Sequence, residues 1–287
     1  MLKTLDEYRK AWEADSDYGS AEARIDRNSK WLQYYRYIAN GYPEADDAEY
    51  NPHAENVSEY LLANGWLTSA SSVLDIGSGT GTYALSFAKR CASVDALDMD
   101  SASLDILRKQ AELLGLTNIT RVTDMWERFK PGKKYSLTFS SMCPAICNYD
   151  ELLKMETMTS DACCLLTVTR GSFDLHRKKL IELLDVKPFG MIPEALRYFE
   201  ILYLMGRQPD VRNYTARYES HYSVDKAVER NCVYFEIFGL PEDRTRPVLR
   251  EYFNSVAADG LVRDETQLNT ALICWKPAHP GRSDAPE

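Results

Sequence analysis

The stretch Val73-Leu74-Asp75-Ile76-Gly77-Ser78-Gly79-Thr80-Gly81 decides how this chain is read. Apolar residues flank an acid and run into three glycines on alternate positions. Behind them, Thr82-Tyr83-Ala84-Leu85-Ser86-Phe87-Ala88 carries apolar residues at helical spacing. The order is strand, tight turn, helix. Glycine in such a turn reaches backbone angles closed to other residues and lets a ligand come close. Taken alone, the turn also fits a plain strand-to-helix connection.

Two details narrow the reading. Thr82 stands where a dinucleotide fingerprint has its third glycine or alanine. Asp75 stands directly before the turn. A pyrophosphate wants N–H groups and positive potential, so a carboxylate here opposes it and favours a cation. The string from Val73 to Gly81 resembles the first motif of the class I S-adenosylmethionine-dependent methyltransferases. Their cofactor carries a sulfonium and an ammonium and no phosphate.

The pattern around this stretch gives the fold class. The spacing predicts strands at Ser93–Leu97, Ile119–Val122, Tyr135–Phe139 and Cys163–Thr169. It predicts helices from the glycine turn to about Arg90, from Ser101 to Leu114, and after a cap at Asp150. Such alternation means an α/β, doubly wound, mostly parallel sheet with both faces covered. The resemblance, which covers Ser72 to about Arg170, implies seven strands with an antiparallel last strand in a Rossmann-like methyltransferase fold. Further on, an apolar helix is expected from Pro193 to Met205 and an alternating strand over Val211–Tyr222. A helix capped by Ser223, another over Val248–Ala257 and a last strand at Leu268–Trp275 follow. An N-terminal helical cap (residues 1–66) includes a helix opened by Asn51-Pro52 and closed at Asn64-Gly65. The methyltransferase domain then covers 67–276, with a helical insertion at about 186–210 over the acceptor side. A tail at 277–287, rich in Pro, Gly and charge, is expected to be disordered.

Composition excludes some partners. The 287 residues carry a formal charge of −9, and the pI is near 5.1. A broad nucleic-acid footprint needs a basic surface. No apolar run reaches bilayer length, and the N-terminus lacks the apolar centre of a signal peptide, so a cytoplasmic protein with no membrane contact is expected. Seven cysteines in a chain of this size do not form a disulfide framework. Cys91, Cys163, Cys164 and Cys274 lie in apolar stretches as small core residues. Cys143 and Cys147 share a loop but have no further local ligand, so no metal site is expected.

The resemblance places the cofactor, S-adenosyl-L-methionine, on Asp75, Gly77, Ser78, Gly79 and Gly81 of the turn. Asp98, with Met99 behind it, ends the second strand roughly twenty residues after Gly77, where an acid accepts from ribose hydroxyls. Asp124, Met125 and Trp126 follow the third strand. In the family an acid here holds the adenine amino group and apolar neighbours pack on the ring. Ser140 and Ser141, at the exit of the fourth strand, complete the set. That exit, Ser140-Ser141-Met142-Cys143-Pro144-Ala145, is not the Asn-Pro-Pro-Tyr type of motif found in amino-methylating nucleic-acid enzymes.

An acid/base residue is not named by these motifs, because an activated methyl group needs alignment more than proton transfer. Three candidates stand. Tyr18 lies in a loop where it could close over cofactor and acceptor. His221 reads as a base on the later strand or as a hydrogen-bonded structural residue. Cys143 reads as a packed turn thiol or as a reacting one. Arg217 or His221 is expected to supply polar contacts to the acceptor. His176 reads as a solvated helix start. The expected acceptor is a small, partly apolar molecule. A nucleotide-dependent oxidoreductase and a non-catalytic cofactor-binding regulator are the alternatives.

Overall fold

A computed structural model describes residues 4–15, 29–34, 36–37, 52–186 and 194–278. Five parallel strands form its centre: β1 (Ser72–Ile76), β2 (Ser93–Asp98), β3 (Ile119–Thr123), β4 (Tyr135–Ser141) and β5 (Thr159–Val168). They are followed in the chain by the two-residue β6 (Phe173–Asp174) and the long β7 (Asp210–Ser223) and β8 (Leu261–Trp275). The order across the sheet is β3-β2-β1-β4-β5-β8, with β7 antiparallel on the far side of β8. β8 runs antiparallel to β5. The seven expected strands are therefore present, and β6 adds a short eighth that pairs with β8 beyond the end of β5.

Alternation along the strands sorts the core into two layers. Val73, Val94, Leu137 and Cys164 point to one side, under α2 (Pro52–Ala63), α3 (Thr82–Ala88) and α4 (Ser101–Leu113). Leu74, Ile76, Leu97, Cys163 and Trp275 point to the other, under α1 (Leu5–Asp15), α5 (Tyr149–Thr157) and α7 (Ala195–Leu204). Between α5 and α7 lies α6 (Arg177–Leu184), and α8 (Val224–Glu236) and α9 (Glu242–Val256) follow β7. The side chain of Asn148, rather than Asp150, caps α5 by accepting from the Glu151 N–H at 2.9 Å. Asn148 comes one residue before the helix and has the extended backbone a cap needs, while Asp150 is already helical.

The C-terminal part departs most from expectation. β7 and β8 pair along their whole length, from Asp210↔Cys274 to Ser223↔Leu261. β5 matches only Trp275 to Thr270 of that length. The outer half of the ribbon thus runs past the carboxyl end of β5. α6, α8 and α9 pack there around their own core of Leu180, Val228, Phe235, Leu249 and Phe253. The segment at 186–210 was expected over the acceptor side. Its described helix, α7, instead seats Tyr198, Ile201 and Leu202 in the sheet's own core. Its apolar face matches a covering helix of the sheet.

The N-terminal helices divide in the same way. Trp12 of α1 is 2% exposed and meets Tyr198 edge-on at 5.5 Å between ring centroids. The helical stretch at 29–34 goes elsewhere: Trp31 and Tyr34 pack with Ile237 and Tyr234, at the end of α8. No helix among the described residues is long and apolar enough to cross a membrane.

Candidate functional site

A cavity of about 570 Å³ opens at the carboxyl ends of the parallel strands, where ligands sit in open α/β sheets. Its floor is the glycine turn. Gly77 and Gly79 have φ of 72° and 55°, the left-handed region that glycine enters without a Cβ penalty. A Cβ on Gly77 would lie 2.3 Å from Cys143 Sγ, so the turn can only pass the exit of β4 as glycine. Gly81 serves a different purpose. It starts α3 at φ 93°, and a Cβ there would lie 2.1 Å from Leu107 of α4. Gly81 does not line the cavity; it lets two helices approach.

Asp75 is 2% exposed and lines the cavity. The Ala84 backbone N–H donates to its carboxyl group, while Oδ2 and the nearby Ser78 Oγ have no partner. Burial, then the charge of Asp98, raises its pKa to about 7. An unpartnered carboxylate oxygen beside a cavity is costly unless a donor or a cation meets it.

Asp98 ends β2 as expected. Gly79 N–H donates to its Oδ2 at 2.8 Å and Asp100 N–H to its Oδ1 at 2.8 Å. Burial pushes its pKa up against these bonds. Asp100 caps α4 and receives Arg36 Nη2 at 2.9 Å. Burial works to raise its pKa too, but the Arg36 guanidinium and the Ser103 hydroxyl outweigh it, and the net shift is downward.

Met99, Asp124, Met125 and Trp126 all line the cavity. Trp126 is 4% exposed, with the Lys154 ammonium 4.3 Å from its ring centroid. Ser141 and Met142, at the exit of β4, line it as well. Met142 holds φ at 49°, a strained value for a side-chain-bearing residue. Ser140 does not reach the cavity; its hydroxyl donates to the Ile76 carbonyl at 3.1 Å.

The candidates for chemistry fare unevenly. Cys143 lines the cavity, but burial pushes its thiol up to about 12 and keeps it protonated. That favours the packed turn thiol over the reacting one. His221 is exposed, lies opposite Arg263 in the ribbon and does not line the cavity. Arg217 donates to Gln267 at 3.0 Å and is also outside it. The reason is the period of two along a strand. Tyr218 and Leu268 are the ribbon residues that line the cavity, so odd-numbered Arg217 and His221 point away. Tyr18 lies outside the described residues. His176 is buried, with Nδ1 2.9 Å from Tyr252 Oη and Nε2 2.8 Å from the Arg263 carbonyl, so it is a structural residue of the α6–α9 unit.

Sequence reasoning missed His53 and Tyr83, which line the cavity from α2 and α3. His53 directly follows a helix-opening Pro52, and that position draws attention to capping, not to a site. Trp31, Leu32 and Tyr34 close another side.

The charge of the wall is one-sided. Asp75, Asp98, Asp100, Asp124 and Glu127 line it, and no lysine or arginine stands among the described lining residues. Residues 73–175 match the model of a methyltransferase domain. The chain therefore carries a methyltransferase domain. S-adenosylmethionine is the cofactor. The wall fits it: an orphaned, buried carboxylate oxygen and an acidic lining suit a sulfonium and an ammonium and resist a pyrophosphate.

This methyltransferase shares its fold with solved structures at low identity. YcgJ of Bacillus subtilis superposes with a TM-score of 0.50 at 13% identity, covering 80% of this chain and 100% of that one. A putative methyltransferase of Bacillus halodurans gives 0.50 at 13%, covering 77% of this chain and 99% of that one. Among curated proteins, a probable ribosomal RNA small subunit methyltransferase A of Methanosphaera stadtmanae is 34% identical over 70 residues. That match spans 24% of this methyltransferase and 26% of the relative.

Proposed function

We propose that the protein transfers the methyl group of S-adenosylmethionine to a small acceptor that carries no phosphate. The observation that carries this reading is the acidic wall without lysine or arginine among its described residues. Asp75 would receive the cofactor's ammonium group, Asp98 the ribose hydroxyls, and Asp124 the adenine amino group, with Met99, Met125 and Trp126 along the base. The turn at Gly77, Ser78 and Gly79 and the hydroxyl of Ser141 complete the cradle. When bound, the cofactor supplies an already activated methyl group.

The chain's own part is then alignment. Two rigid strand ends fix the cofactor side, and effective concentration provides most of the rate. The acceptor would enter between α2, α3 and the ribbon, where His53, Tyr83 and Tyr218 line the cavity. Aromatic walls with polar tips suit a partly apolar molecule. A nucleotide-dependent oxidoreductase is disfavoured because Asp75 stands directly before the glycine turn and no lysine or arginine among the described lining residues would meet a pyrophosphate. A ribosomal RNA acceptor, the substrate class of the Methanosphaera relative, is disfavoured by the same wall and by the net charge of −9. Incubation with S-adenosylmethionine and a fractionated metabolite extract, followed by mass spectrometry, tests the reading. A methylated small molecule supports it. Methylation of RNA alone overturns the acceptor class.

A further inference from the structure

We infer that the outer edge of β7 joins a second copy of this chain, strand against antiparallel strand, about a two-fold axis through Tyr218. The inference goes beyond the methyl-transfer reading and does not depend on which acceptor is methylated.

β7 pairs with β8 along its whole length, and among the described residues no other strand pairs with it. Its outward row of N–H and C=O groups is a template for one more strand. Nine of its fourteen residues are exposed, Tyr218 at 51%, so this edge meets solvent. Proteins blunt such edges with a short length, a proline, a bulge or charge. β7 is long, holds no proline and pairs with β8 without a register shift. Its charges come in both signs, so a second copy can match them.

The signs select the register. A two-fold axis normal to the sheet keeps each face on its own side. A residue can then oppose only itself or a residue an even number of places away. With the axis through Tyr218, Arg217 opposes the partner's Glu219, and Glu219 opposes the partner's Arg217. Tyr214 opposes the partner's Tyr222, and the strands overlap over residues 213–223. With the axis moved one residue back, Arg217 opposes its own copy; moved one residue on, Glu219 does. Like charges directly opposite are destabilising, and opposite charges and aromatic pairs stabilise. Within the chain Glu219 accepts from Arg263 at 3.1 Å, which leaves its carboxylate room for a second guanidinium. The site is touched directly. Tyr218 lines the cofactor cavity, and on the axis the partner's Tyr218 stands beside it. Each subunit thus adds a tyrosine next to the other's cavity.

Sedimentation velocity of the full chain tests this with charge reversals. We expect the wild type to sediment as a dimer at micromolar concentration. Arg217→Glu and Glu219→Arg should each weaken the dimer by about tenfold, because each sets like charges opposite one another twice. Mixed in equal amounts, the two variants should dimerise again, since each supplies the sign the other lacks. Rescue on mixing needs both variants folded, so it separates the interface from a folding defect. If a reversal unfolds the chain, the milder Arg217→Gln and Glu219→Gln take its place, each expected to weaken the dimer about threefold. A monomeric wild type, a dimer indifferent to substitution at both positions, or folded reversal variants that stay monomeric when mixed each overturns the inference. Binding of S-adenosylmethionine, measured on the same samples by calorimetry, bears only on the methyl-transfer reading.

Discussion

The backbone N–H of Gly79 donates to Asp98 Oδ2 at 2.8 Å. The glycine turn after β1 and the acid that ends β2 are thus one unit. An ionised carboxylate offers about four acceptor positions, so the two taken by Gly79 and Asp100 leave room for a diol. Asp98→Ala should lower affinity for S-adenosylmethionine by about 1.5–3 kcal/mol. Calorimetry on the folded variant reads this directly. Unchanged affinity would remove the ribose role.

Asp75 gives a pH prediction. Its folded pKa is raised to about 7 by burial, then by Asp98, against about 4 in an unfolded chain. The folded state therefore holds this proton more tightly than the unfolded state does. The associated stability is present below about pH 4 and is lost as pH rises through 7, by up to roughly 4 kcal/mol. The melting temperature of the cofactor-free protein should fall over that window, and Asp75→Asn should flatten the fall. Cation binding has the opposite sign. Affinity for S-adenosylmethionine should rise through pH 7 with proton release, visible as a buffer-dependent binding enthalpy. Asp75→Asn binding the cofactor as tightly as wild type at every pH would contradict this.

Gly77→Ala faces two obstacles: a φ of 72° and Cys143 Sγ at 2.3 Å from the new Cβ. It should lower both the melting temperature and cofactor affinity. Adding Cys143→Gly should recover only the steric part. Cys143→Ala alone should retain turnover, since its thiol stays protonated with a pKa pushed to about 12. Loss of turnover in a folded Cys143→Ala protein would restore the reacting-thiol reading.

Arg36 joins the N-terminal region to Asp100 with bonds of 2.9 and 3.2 Å. The carboxylate is 2% exposed and the guanidinium is half exposed, so Arg36→Ala should cost roughly 1 kcal/mol. Limited proteolysis should then cut the N-terminal region faster, and cofactor should slow the cutting. An unchanged cleavage rate would show that Arg36 does not hold this region down.

The parallel half of the fold was legible because four of its five strands end in a marked turn: Gly77, Asp98, Asp124 and the serines after Phe139. Of the expected cofactor residues, Gly81 and Ser140 lie off the cavity, since a motif marks sequence positions and not the direction of each side chain. The later half was harder to read. Residues 263–267 are charged or polar at every position, so they lack the apolar alternation of a buried strand. They pair instead in a ribbon with solvent around it. Pro247 inside α9 hid that helix's first turns. His53 and Tyr83 reach the cavity through tertiary packing of α2 and α3, which local spacing does not encode.

The central claim is that this cradle is built for a cationic, phosphate-free cofactor. Calorimetry of the full chain with S-adenosylmethionine and, separately, with NAD tests it most directly. Micromolar binding of S-adenosylmethionine and no measurable heat with NAD are the expected results. Tighter binding of NAD would contradict the claim.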